Sequence, residues 1–493
     1  MRQLTGIFAS VVAAAGVNLQ AAEPAPTSTP RPVPITRPEM KQLLEDMKER
    51  KPRIPLPELT DADKEQLGER GQGYESRLRY HYMPAGEGRG GFGGGGGRGA
   101  GGGAGGGVGG GTGGSARAGG GRGDFTRNAD PAMTLDYPFK TMLFWIVSRT
   151  NNCQYCMGHQ EWKLAAAGLT EEQIAALDFA WESYTPAQQA AFAYARKITF
   201  EPHKLADADI DGLRKYYTDP QILEMTLSVA GNNSINRWKE GTGVPQSSGN
   251  TFRRTADNAA PAERPSHPES FETPTPEQFQ KTVTKVAPLQ VDPKTGTPTH
   301  LAVNVRPALE SRAAVEKALE ACKTRTPRLP LSSDGEARAV VADAWPEGPL
   351  PQFVRLVAVF PSEARRIIQS NKPAEEKGDL TPVLKAQVSW IIARQDRAWY
   401  ATGRAQKRLR ELEQTDDQIY ALDGDWKDFT PAERSLFTVA RKLASTPVVL
   451  TDDDVNEALK QTGPREVVQL ISYVTGRASF DRITEAAGLQ LEP

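Results

Sequence analysis

A shift of 245 residues lays one half of the chain over the other, so the fold must be one that can be built twice. Adding 245 to the residue number carries Trp145-Ile146 onto Trp390-Ile391, Arg149 onto Arg394, Tyr155 onto Tyr400 and Gly158 onto Gly403. The same shift takes Thr170-x-x-Gln173-Ile174 to Thr415-x-x-Gln418-Ile419, Trp181 to Trp426, Thr185-Pro186-Ala187 to Thr430-Pro431-Ala432, and Ala195-Arg196-Lys197 to Ala440-Arg441-Lys442. An ungapped run of this kind signals a duplication. Upstream, Pro52-Arg53-Ile54-Pro55-Leu56 meets Pro327-Arg328-Leu329-Pro330-Leu331 at an offset of 275. The larger offset is accounted for by the glycine tract from Gly86 to Gly123, which interrupts only the first copy.

Each copy reads as helical. Met142 to Val147 is an apolar stretch that fits a buried helix, although periodicity alone leaves a strand open. A second helix is expected from an Asn151-Asn152 cap through Leu164 to Gly168. Thr170-x-x-Gln173 and Thr185-Pro186-x-Gln188 are capping boxes that open two more, and another is expected over Asp219 to Asn236. No series of alternating strands accompanies them, so the expected fold class is all-α.

The remaining segments divide the chain. Residues 1–22 have the short basic start, apolar middle and small-residue end of a secretory signal, which implies an exported protein, periplasmic or secreted. Residues 23–50 read as a Pro-rich linker, with a short charged helix near Met40 to Lys51. The first copy then spans 51–247, its tract 86–123 reading as disordered. Residues 248–325 read as a second linker with short helices near Pro276 to Val286 and Glu310 to Lys323, and the second copy occupies 326–493. Sixty Lys and Arg nearly cancel 61 Asp and Glu. That balance supplies no field for nucleic acid or an anionic membrane, and no run past the signal is long enough to span a bilayer.

Two of the three cysteines lie together in Asn151-Asn152-Cys153-Gln154-Tyr155-Cys156-Met157-Gly158-His159-Gln160. Cys-x-x-Cys serves a redox dithiol, half of a zinc site or a haem attachment, and Met157 in place of histidine excludes the last. At about 100° per residue, Cys153, Cys156 and His159 fall in a row on one helix face. The thiols can then reach each other, and the imidazole can take a proton from Cys156. A place in the first helical turn favours thiolate. Zinc would need a fourth ligand, and His81, His203, His267 and His300 sit in no paired motif. In the second copy Cys153, Cys156 and His159 become Ala398, Ala401 and Arg404. Cys322 stands alone and reads as inert.

Asn-x-Cys-x-Tyr-Cys-x-x-His, Gly168-Leu169-Thr170-Glu171-Glu172-Gln173-Ile174, Asn233-x-x-Asn236-Arg237-Trp238 and Gly243-Val244-Pro245 together resemble the carboxymuconolactone decarboxylase / alkylhydroperoxidase AhpD-like family. The resemblance spans about 130–245 and, in degenerate form, about 380–490. It implies an all-helical, oligomeric domain, with the Cys pair marking the peroxidase or disulfide-reductase branch rather than the decarboxylases. Peroxidase members usually carry a glutamate about three turns before the first Cys, where this chain has Lys140-Thr141-Met142. Their histidine often stands four residues after the second Cys, where this chain has Gln160.

The expected function is thus a thiol-dependent peroxidase or disulfide reductase, an antioxidant oxidoreductase. In it Cys156 attacks peroxide, Cys153 resolves and His159 is the base. It needs no bound cofactor or metal. Its partners are a peroxide and an external thiol reductant, with homo-oligomers or internal pairing of the two copies. The alternatives are a non-catalytic binding module with a structural disulfide, and a decarboxylase-like enzyme that does not use the thiols.

Overall fold

The structure is a computed structural model that describes residues 29–34, 36–84, 129–248, 306 and 308–492. The expected signal, the glycine tract and most of the second linker lie outside the described residues. Among the described residues the chain is all-α, with nineteen α-helices and no strand. None of these helices is long and apolar enough to cross a membrane.

The first series comprises α1 (Arg37–Asp46), α2 (Asp61–Gly71), α3 (Tyr74–Tyr82), α4 (Tyr137–Asn151), α5 (Gln154–Ala166), α6 (Glu171–Phe179), α7 (Pro186–Phe200), α8 (Asp207–Arg214) and α9 (Asp219–Thr242). The second comprises α10 (Arg312–Cys322), α11 (Asp334–Val341), α12 (Gln352–Val357), α13 (Pro361–Glu376), α14 (Pro382–Asp396), α15 (Trp399–Glu411), α16 (Asp416–Ala421), α17 (Pro431–Ala444), α18 (Asp452–Thr462) and α19 (Pro464–Ala486). Helices α4 to α9 and α14 to α19 correspond at the 245-residue shift, and α1 and α10 start in register at the 275-residue shift.

Helix α4 is the axis of the first series. Asp136 caps it by accepting from Phe139 N at 2.8 Å, with Pro138 in the first turn, a position where a missing N–H costs nothing. Packing against α5, α6, α7 and α9 then buries nearly every residue of α4. That explains why Met142 to Val147 shows no amphipathic period: the helix has no solvent face. Helix α14 holds the same place against α15, α17 and α19.

Of the segment read as a Pro-rich linker, the described residues 29–34 and 36–50 form a packed element. Met40 and Leu44 of α1 are fully buried, and α1 lies on α5. Prolines here fix an extended path across a surface instead of loosening it. The equivalent arm of the second series places Val315, Leu319 and Cys322 where the first has Met40, Leu44 and Met47. Helix α10, in the segment expected to be a linker, thus packs through Val315, Leu319 and Cys322. Cys322 is a core residue whose thiol burial pushes up to about 11.

The two series meet along α9 and α19, and the polar contacts are reciprocal. Arg237 donates to Ala444 O at 2.9 Å, and its counterpart Arg482 donates to Thr199 O at 2.9 Å. Arg53 pairs with Asp452 at 2.6 Å, and Arg328 with Asp207 at 3.0 Å. Arg482 is wholly buried and forks onto both oxygens of Asp396, at 2.8 and 3.0 Å. Removing one partner of such a pair strands a buried charge. Asp396→Ala should cost about 3–5 kcal/mol in denaturant unfolding. A loss below about 1 kcal/mol would show that Arg482 finds water or another acceptor.

Candidate active site

The site is built where α4 ends and α5 begins. Asn152 takes the left-handed conformation (φ 57°), and Cys153 N donates back to Ser148 O at 2.8 Å, which closes α4. Asn tolerates this conformation better than most residues. The expected Asn151-Asn152 N-cap is thus a C-terminal closure, and Cys153 is itself the N-cap of α5. Arg397 makes the same turn in the second series (φ 54°), so the joint belongs to the scaffold and does not depend on the thiols.

Asn151 sits at the centre of a buried amide cluster. Its Nδ2 donates to Asn233 Oδ1 at 2.9 Å and to Asn236 Oδ1 at 3.0 Å. Gln160 is also buried and meets Asn232 and Ser148. It belongs to this polar core. The asparagines of the Asn233-x-x-Asn236 motif therefore hold the α4–α5 joint against α9.

The two sulfurs are brought together. Cys153 Sγ lies 2.6 Å from Cys156 Sγ. A disulfide would be about 2.05 Å, so the two sulfurs are close without being at disulfide distance. Both cysteines are covered, at 0 and 2 % exposure. Burial, Cys156 and Glu240 push the Cys153 thiol well above its ordinary value. At Cys153, expected to be the resolving thiol, desolvation and a neighbouring carboxylate outweigh the partial positive charge at the start of α5.

The last turns of α9 supply groups that the sequence reading did not identify. Glu240 is buried beside Cys153 and is gripped by Arg31 at 3.0 Å and Arg50 at 3.0 Å. Arg53 donates to the Glu240 carbonyl at 2.6 Å. These guanidinium groups hold the Glu240 carboxyl below its ordinary range despite burial. Lys239 ion-pairs with Glu75 of α3, lies 4.6 Å from the Tyr155 ring centroid, and is within electrostatic reach of Cys156. These residues were missed because α9 was expected to stop at Asn236. The polar run Asn232-Asn233-Ser234 hides a helix that continues to Thr242. It ends at Gly243 (φ 72°), where a Cβ would come within 2.8 Å of Arg53 N.

The glutamate implied by the family resemblance is absent. Its position has Lys140, which pairs with Glu224 at 2.9 Å, and Glu75 of α3 is held by Lys239.

His159 is half-buried and stacks between Tyr155 and Trp162, at centroid distances of 6.4 and 6.2 Å. Burial, then Lys163 and Lys239, lower its pKa to about 3. A neutral imidazole with so low a pKa is a weak base, which counts against the proton-accepting role expected for it. His203 lies beside Arg397 and is likewise lowered to about 3. His267 and His300 fall outside the described residues. Among the described residues no three His, Cys, Asp or Glu side chains converge on a metal position.

Fold and site together define an all-α domain that presents a paired Cys-x-x-Cys at a helix N-terminus. Residues 134–197, which contain Cys153, Cys156 and His159, match the model of the carboxymuconolactone decarboxylase family. The match stops inside α7 and reaches neither α9 nor the second series. No curated protein matches the chain.

The low pKa of His159 has a consequence for stability. Below about 6.5 the unfolded chain protonates this imidazole, while the folded chain does so only near 3. The unfolded state therefore binds more protons across that window, and stability falls as pH drops through it. His159→Gln should lose less stability than the wild type between neutral and mildly acidic pH, compared by urea midpoints. An unchanged acid slope would place the His159 pKa near its ordinary value.

Proposed function

We propose that the first series is a thiol–disulfide redox unit of the peroxidase or disulfide-reductase kind, and that Cys153 and Cys156 are its reacting pair. The contact that carries this reading is the 2.6 Å approach of the two sulfurs. One thiolate attacks a peroxide O–O bond, giving a sulfenic acid and releasing the alcohol or water. The second thiol then condenses with the sulfenic acid, so that an S–S bond forms and water leaves. An external dithiol reduces the disulfide and is itself oxidised. Because both sulfurs are covered, a small oxidant is the one that fits without rearrangement.

The second series supports the division of labour. It keeps the helices and the turn at Arg397 but has Ala398 and Ala401 in place of the cysteines. We read its reciprocal contacts with the first series as an internal pairing of two duplicated copies, the arrangement a twofold dimer makes between separate chains.

Lactone decarboxylation, the chemistry in the family's name, would not require the thiols. With a dithiol reductant present, the wild type should consume peroxide, and Cys153→Ser and Cys156→Ser should each fall to background. Equal rates in all three proteins would remove the thiol reading, and lactone turnover that survives both substitutions would put the decarboxylase in its place.

A further inference from the structure

The buried amide cluster of the first series is replaced in the second by two carboxyls. We propose that Asp481 is a proton-binding site, a neutral carboxylic acid whose ionisation loosens the seam between the two series.

The first observation is what the 245-residue shift does to the cluster. Asn151 and Asn236 fall on Asp396 and Asp481, while Ser148 and Asn233 fall on Ala393 and Ala478. In the first series Asn151 Nδ2 donates to Asn236 Oδ1 at 3.0 Å, and Asn236 Nδ2 donates to Ser148 Oγ at 3.0 Å. An ionised carboxylate can only accept, so neither link can be rebuilt from two charged aspartates and an alanine. One added proton gives the pair back a donor.

The second is burial without a partner. Asp481 is 1 % exposed, and its Oδ2 has no hydrogen-bond partner among the described residues. A carboxyl left unpaired at such depth takes up a proton rather than stay charged. The cations around it are engaged elsewhere. Arg482 forks onto Asp396, and Arg477 pairs with Glu375 at 2.9 Å. Arg237 comes from α9 and donates to neutral acceptors, Asn233 Oδ1 at 3.1 Å, Ala444 O at 2.9 Å and Thr446 Oγ1 at 3.1 Å.

The charged groups that act on Asp481 are thus Asp396 from α14, Arg237 from α9, and Arg477, Arg482 and Glu485 from α19 itself. Burial, and then Asp396, push its carboxyl well above the ordinary range against the pull of Arg477 and Arg482.

The third is location. Arg482, the next residue along α19, donates across the seam to Thr199 O at 2.9 Å while Asp396 holds it. Ionising Asp481 sets a second carboxylate against Asp396 for that guanidinium, at the point where the two series meet.

The folded chain holds this proton to a higher pH than the unfolded chain, which releases it near the ordinary value of 3.8. The stability it contributes is therefore complete below that value and is lost as pH rises through the folded carboxyl's own ionisation.

The test is infrared spectroscopy of the full-length protein together with urea unfolding over a pH series. At neutral pH, where ordinary carboxyls are ionised, the wild type should show a carboxylic-acid C=O band that Asp481→Asn lacks. Isotope-labelled aspartate should shift this band, which ties it to an aspartate even where the variant does not fold. Asp481→Asn restores the residue type of the first series. Its folding equilibrium should gain on the wild type about tenfold per pH unit above the ordinary carboxyl value until Asp481 ionises. A wild type without the band, a band that persists in Asp481→Asn or does not shift with labelled aspartate, or a stability difference independent of pH overturns the proposal.

Discussion

Glu240 is the point at which the first series is tied together. A carboxylate buried this completely is tolerated only when paired and hydrogen-bonded. Arg31 and Arg50 pair with it, Arg53 donates to the same residue's backbone carbonyl, and Cys153 lies beside it at the start of α5. The arm, the C-terminal turn of α9 and the N-terminus of α5 are consequently positioned by one side chain. The second series repeats the arrangement, with Arg325 on Glu485 and Arg328 on its carbonyl at 2.7 Å. The clamp is therefore a property of the domain, and the thiols are an addition to it.

Much of this architecture was legible in the sequence, for identifiable reasons. Capping boxes at Thr170 and Thr185 are local chemistry, and both open helices in the structure. The cysteines share a stretch of seven residues, so their meeting needed only a helix start. Residues joined by long-range contacts were not legible. Glu240 of α9 lies beside Cys153, and Lys239 joins α9 to Glu75 of α3 and to the Tyr155 ring; no spacing in the chain announces that they converge. The Pro-rich arm was misread because proline content signals an extended backbone without saying whether that backbone is packed. Asn151 to Cys153 was misread by a residue or two: a left-handed closure and an N-cap draw on the same residue type, and only φ at Asn152 separates them.

The site also revises how the chemistry should be apportioned. Helical spacing pointed to His159 as the base, yet burial between aromatic rings and two lysines leaves it a poor one. The charged groups that α9 brings to this end of α5 are Lys239, which lies over the Tyr155 ring, and Glu240, which is buried beside Cys153.

The central claim is that Cys153 and Cys156 exchange electrons as a pair. Reduced protein treated with one equivalent of hydrogen peroxide and mapped by mass spectrometry tests it most directly. The wild type should acquire a Cys153–Cys156 disulfide while Cys322 stays a thiol, and Cys153→Ser should accumulate a sulfenic acid on Cys156. Oxidation that begins at Cys322, or leaves both Cys153 and Cys156 reduced, would contradict it.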